Sequence, residues 1–153
     1  MNSSIQIRKY IEDILQTCRL AVLATEAHGQ PHASLIAITP IQGFRQIIFA
    51  TYRNTRKFKN MVHNGRVAVL IQGEDPDSPN RKKGFALTGF GNIEEVELSE
   101  WEKAMHAHLE KHPDLVNFLN SGDLVLIRIK VEEYQVVRGI DDVTWWPVED
   151  SRN

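Results

Sequence analysis

One cysteine, Cys18, stands among 153 residues, so no internal disulfide can brace this chain. A reducing compartment is the expected setting, and buried packing rather than reactive chemistry is the expected role of the thiol. No apolar run approaches the roughly 20 residues that cross a bilayer. The opening MNSSIQIRKYIEDILQ carries charges every few residues, where a secretory signal would be uninterrupted and apolar. Cytoplasmic localisation is therefore expected. Neither G-x-G-x-x-G nor a Walker-type loop occurs, so the usual nucleotide folds lack their fingerprints. No nucleophile motif supports hydrolase chemistry. Repeats, linkers and low-complexity segments are also missing, and residues 1–153 read as a single domain.

The most telling absence is of acid. From Ala27 to Gly73 there is no Asp or Glu, while Arg45, Arg53, Arg56, Lys57, Lys59 and Arg66 all fall there. A net charge of −2 gives the whole molecule no nucleic-acid signature, yet this segment must carry a local positive field. Two readings are open: a solvated basic face, or a site for a small anion.

What is present reads mainly as β structure. Residues 4–17 place Ile7, Ile11, Ile14 and Leu15 at helical spacing. Short apolar runs follow at 19–25, 32–40 and 45–51, joined by EAHGQP and IQG, as in an antiparallel meander. Residues 55–64 predict a helix capped by Thr55, and 66–73 a further strand. EDPDSPNRKKG predicts an exposed loop. The strand at 85–97 carries two glycines where a sheet would bend to close a barrel. Ser99 and Glu102 have the spacing of a capping box for a helix running to about Lys111. A shorter helix is expected from Pro113 to near Gly122, and the longest β run covers 124–139. The sum is a mainly β (α+β) fold, a six-stranded antiparallel barrel with short flanking helices.

The stretch TYRNTRKFKN concentrates the chemistry. Arg53, Arg56, Lys57 and Lys59 lie at a helix start, where the dipole already disfavours cations. A dianion seated among them would offset that clash. Thr51 and Thr55 would supply hydroxyls, Arg56 a planar fork and Lys57 a compact charge, as a phosphate monoester requires.

These residues also carry a resemblance. GQPHASLIAI followed by IIFATYRNTRKFKNMVHNGRVAVLI resembles the FMN-binding split-barrel family typified by pyridoxamine 5′-phosphate oxidase. The resemblance implies a six-stranded split barrel, a homodimer with the flavin between protomers, and flavin-dependent oxidoreductase activity. It implies that Thr51, Thr55, Arg56 and Lys57 hold the FMN phosphate. Ser34, Leu35, Ile36 and Ala37 would lie along the isoalloxazine, and Ala50 would be small because the flavin passes close by. Gly84, Phe85 and Ala86 of a second subunit would approach the ring. Ser34 and Thr39 stand where the oxidases carry an arginine and a lysine, and Arg53 is a candidate to compensate. The tail VVRGIDDVTWWPVEDSRN lacks the Arg-x-His-x-Arg grip on a pyridoxal substrate, so activity on vitamin B6 is not expected. Relatives that use haem or a deazaflavin, and a flavin-binding sensor without turnover, are the alternatives.

Six histidines invite a metal reading, but no acid or cysteine has ligand spacing with them. His106, His108 and His112 are expected to be solvated on one helix, and His28 and His63 to face water at turns. Trp145 and Trp146 are expected to anchor the C-terminus by packing, with a stacking wall over the flavin as the alternative.

Overall fold

A computed structural model describes residues 3–74, 84–118, 122–139 and 142–148. In chain order the elements are α1 (Ser3–Thr17), β1 (Leu20–Ala27), β2 (Gln30–Ala37), β3 (Thr39–Ile41), β4 (Gln46–Tyr52) and α2 (Arg56–His63). They continue with β5 (Arg66–Glu74), β6 (Gly84–Glu95), α3 (Leu98–Lys111), a 3-10 turn (Pro113–Leu115), β7 (Leu124–Val137) and β8 (Val143–Pro147).

The meander begins with a two-residue hairpin. His28 and Gly29 both take positive φ, 55° and 81°, as a type I′ turn requires between the paired Ala27 and Gln30. All strand pairs are antiparallel, in the order β2-β1-β5-β6-β7-β4-β3. One residue, Ile38, separates β2 from β3, so the two are a single bent strand. Its first half pairs with β1 and its second half with β4, and this closes the sheet into a barrel. The six expected staves are thus present. Alternate residues of each strand fill the interior, among them Leu23, Ile47, Phe49, Val69, Leu87, Ile127 and Ile129, all fully buried. Ile11, Ile14 and Leu15 of α1 pack onto the same core.

The glycines of β6 act where the sheet bends. The register with β7 shifts between Phe90 and Gly91, leaving Glu132 as the extra residue of a bulge. A Cβ on Gly91 would run into the carbonyl of Lys130, so no other residue fits without moving backbone. The bulged Glu132 turns outward and accepts from Arg66 and Asn92.

Several expectations are corrected. The helix expected to open at the Ser99–Glu102 box starts two residues earlier, with Glu97 at the N-cap and no side-chain cap bond. Ser99 is therefore inside the first turn, too late to cap it. Glu100 instead accepts from Arg128 at 3.0 Å. The helix expected after Pro113 is only a 3-10 turn among the described residues. An eighth strand, Val143–Pro147, pairs with the end of β7, because Thr144 and Trp146 alternate inward against exposed Val143, Trp145 and Pro147. The loop expected over EDPDSPNRKKG lies outside the described residues for 75–83.

Candidate functional site

The bent strand defines an opening. Thr39 pairs with Ile48, Pro40 with Ile47 and Ile41 with Gln46. Continued backward, that register would set Ala37 opposite Ala50, Ile36 opposite Thr51 and Leu35 opposite Tyr52. The ladder does not continue. β2 keeps its pairing with β1, β4 keeps its pairing with β7, and the two part. These six residues line a cavity of ≈ 330 Å³ together with Thr55, Lys57, His108, Leu115 and Phe118. The split is therefore written into the register, and its walls are backbone edges released from the sheet.

Two histidines of α3 hold the fork. His112 Nε2 donates to the Ile38 carbonyl at 2.7 Å, and His108 Nδ1 lies 2.7 Å from the Thr39 hydroxyl. Both are buried, His108 to 1% and His112 to 0% exposure, which overturns the expectation of solvated helix histidines. A free-standing helical pattern cannot show this, since burial depends on where α3 lands on β3. Burial, helped by neighbouring His112 and then Lys111, pushes the His108 imidazole down to about 4. His106, by contrast, is exposed beside Glu110, and His28 and His63 are exposed, their rings 4.3 Å apart.

At one end of the cavity β4 gives way to α2. Thr55 caps the helix as expected: its hydroxyl accepts from the Phe58 N–H at 3.2 Å and donates to the Tyr52 carbonyl at 2.8 Å. The Thr51 hydroxyl sits 3.3 Å from it and is 3% exposed. Lys57 is half-buried, and burial lowers its ammonium below the ordinary lysine range. Among the described residues no carboxylate lines the cavity, and Lys57 is the one cation that does. A lip of Tyr52 and Phe118 closes the wall, with rings 4.8 Å apart and the Tyr52 hydroxyl donating to the Phe118 carbonyl at 2.9 Å.

Of the residues singled out in the sequence, Leu35, Ile36, Ala37, Ala50, Thr51, Thr55 and Lys57 come together here. Arg56 is exposed at the first helical position, outside the lining. Ser34 precedes the lining residues and faces inward opposite Leu23, its hydroxyl buried without a partner. Gly84, Phe85 and Ala86 open β6 away from this cavity. The Phe85 ring is 6% exposed and meets Tyr10 edge-on at 6.3 Å, so it belongs to its own chain's core. Arg53 does not compensate for missing cations, because both its terminal nitrogens are held by Glu95 at 3.2 and 2.7 Å. Trp146 packs edge-on against Phe44 at 4.9 Å, and Trp145 stacks on Phe90 at 5.7 Å. Neither lines the split.

Tyr52, His108, Leu115 and Phe118 escaped the sequence reading. Tyr52 could have been found from its place directly after Thr51. The other three come from segments 56 or more residues further along the chain, and no local pattern marks them.

The chain resembles known proteins along nearly its whole length. It is 24% identical to a Schizosaccharomyces pombe protein described as a pyridoxamine 5′-phosphate oxidase homolog, over 95% of this chain and 93% of that one. Its fold matches that of a haem-binding protein from Mycobacterium smegmatis with a TM-score of 0.79 at 19% identity. That match covers 96% of this chain but 59% of the mycobacterial one. An FAD-binding protein from Mesorhizobium loti matches with a TM-score of 0.66 at 20% identity, covering 82% of this chain and 90% of that one. At such identities these structures share the fold alone. The family model described as pyridoxamine 5′-phosphate oxidase matches residues 7–138, a span that takes in all six staves, the split between β2 and β4 and the Thr51–Lys57 corner, and this chain belongs to that family.

Proposed function

We propose that the protein is a cytoplasmic, homodimeric FMN-binding flavoprotein that acts as an oxidoreductase. The observation that carries this reading is the corner of the split where Thr51, Thr55 and Lys57 meet in a cavity with no carboxylate among its described lining residues. An N-capped helix start, two hydroxyls and a partly desolvated ammonium suit a phosphate dianion. The anion would restore to Lys57 the charge stabilisation that burial removes. Arg56, one residue from the cap, would add a second cation at the mouth. The small Ala37 and Ala50, with Ile36, leave room for a flat ring against the released strand edges. Ser34 adds a buried hydroxyl still lacking a partner. When bound, the flavin supplies the redox chemistry, while the chain's own residues bind it, orient it and set the local charge.

The dimer reading rests on the outer face of β2, β1, β5 and β6. Leu20, Val22 and Leu35 are 54%, 37% and 65% exposed. Register places Val22 between Leu35 and Leu70, and Ala24 between Ala33 and Ala68, with Phe90 beyond. Such a contiguous apolar sheet face calls for a cover. Leu35 belongs both to this face and to the cavity wall, so a second copy seated there would complete the site. Gly84 and Ala86 are the residues of β6 through which the partner would reach the ring.

The test is fluorescence titration with FMN and riboflavin. Charge-assisted bonds are worth about 1.5–3 kcal/mol each, so FMN should bind at least tenfold more tightly. Equal dissociation constants would remove the phosphate assignment. A Soret band on adding hemin, with no change on adding FMN, would move the protein to the haem reading. Reduction of the bound flavin by a nicotinamide nucleotide separates an enzyme from a sensor, and its absence with every donor tried would favour the sensor.

A further inference from the structure

We propose that His108 is a ligand-contacting, specificity-determining residue of the split, presenting Nε2–H to an oxygen acceptor on the ribityl phosphate of the bound flavin; this rests on the flavin reading above. The imidazole is among the most deeply buried polar side chains of the molecule, at 1% exposure, yet it lines the cavity. Its two nitrogens are in different situations. Nδ1 is fixed 2.7 Å from the Thr39 hydroxyl, which is itself 4% exposed. Nε2 has no hydrogen-bond partner among the described residues. Nε2 is not among the buried unpartnered atoms, and with the residue lining the cavity it is open to whatever occupies that space.

His112 Nε2 must carry its proton, because it faces a carbonyl that can only accept, and its ring lies 4.9 Å from that of His108. Burial first, then neighbouring His112 and Lys111, keep His108 neutral near pH 7. A phosphate or its ester oxygens only accept. The Thr39 hydroxyl can donate to Nδ1 or accept from it, and with the hydroxyl donating, Nε2 carries the proton and is the nitrogen left for the ligand. A neutral donor at this place reads an acceptor without adding a second cation beside Lys57. His108 comes from α3 and the Thr51–Thr55 corner from β4 and the start of α2, so the same cavity occupant would be read by elements far apart in the chain.

The experiment combines imidazole 15N spectra of the wild-type protein with FMN titrations of wild type, His108→Gln and His108→Phe. The expected result is a His108 ring protonated on Nε2 whose 15N resonance moves on adding FMN. FMN affinity should fall tenfold or more in His108→Phe and stay within about threefold in His108→Gln, which keeps a donor. Protonation on Nδ1 in the FMN complex overturns the proposal without any variant, so a misfolded His108→Phe cannot shelter it. Wild-type FMN binding that His108→Phe leaves unchanged overturns this assignment alone. A wild type that does not bind FMN removes the flavin reading and this assignment with it.

Discussion

Arg53 is forked onto Glu95, its Nη1 3.2 Å and its Nη2 2.7 Å from the two carboxylate oxygens, at the mouth of a segment otherwise free of acid. The acid comes from β6, beyond the acid-free stretch, and it takes one of four clustered cations out of the anion site. The guanidinium also lies 5.4 Å over the Phe58 ring, on the outside of α2. Lys57, one turn on, lines the cavity instead. Two cations four residues apart therefore have opposite jobs.

That difference is testable by substitution. Lys57→Ala should weaken FMN binding by tenfold or more, since a charge-assisted contact to phosphate is lost. Arg53→Ala should change it less than threefold and cost at most about 1 kcal/mol of stability, because both partners of the pair are half-exposed at 48%. FMN titration and urea unfolding of the two variants check this. A larger binding loss in Arg53→Ala would place the phosphate at the wrong end of the turn.

The apolar outer face predicts a dimer at micromolar concentration. Val22 is paired with Leu35 across β1 and β2 but does not line the cavity, so Val22→Glu plants a charge at the centre of the patch without touching the core or the split. Sedimentation equilibrium should give twice the 17.5 kDa chain mass for the wild type and a monomer for the variant. FMN affinity should fall with the dimer if the site is completed between protomers. A monomeric wild type with FMN bound would refute the arrangement.

Stability should fall on mild acidification, and the sign follows from burial. In the folded state His108 takes up a proton only near pH 4, whereas in the unfolded chain it does so near the ordinary histidine value of 6.5. Between those values the unfolded state holds the extra proton, so each unit of acidification removes about 1.4 kcal/mol through this group alone. Lys111, which donates to the Leu15 and Cys18 carbonyls, is lowered by burial to about 8, so stability should rise from there toward pH 10.5. Urea unfolding from pH 6.5 to 5.0 reads the histidine part before carboxylates titrate. A flat profile there would show that His108 is more open to water than its contacts require.

Much of this was legible in the chain because it is local. The Thr55 cap, the short apolar run of β1 and the acid-free basic stretch each announce themselves within a few residues. The bulge at Gly91 was visible as a glycine in a strand, though not its partner Lys130. What stayed hidden depends on elements far apart in sequence meeting. His108 and His112 looked like solvated helix residues because nothing on α3 says that it covers Ile38 and Thr39. Glu95 gave no sign of claiming Arg53. β8 was missed because its alternation spans only five residues and follows acids. Even the split itself, plain in the register, required knowing that β2 and β3 are one strand shared between two neighbours.

The last prediction concerns the substrate of the family's namesake. Pyridoxamine 5′-phosphate brings a second dianion, and next to a bound FMN it needs its own cationic grip, since an unpaired buried charge weakens binding by several kcal/mol. Four arginines of the barrel are engaged elsewhere. Arg53 is held by Glu95, Arg66 by Glu132, and Arg128 by Glu94 and Glu100. Arg138 lies 3.8 Å over the Tyr10 ring, in a cleft against α1 that is separate from the split. The tail adds acid beside it, with Asp142 lining that cleft. The FMN-loaded protein should therefore form pyridoxal 5′-phosphate far more slowly than the ordinary enzymatic scale of about 1 per second. A steady-state assay under air decides it. Turnover at that scale would mean that a partner subunit supplies the grip, and double substitution of Arg138 and Arg66 would then show which face of the dimer provides it.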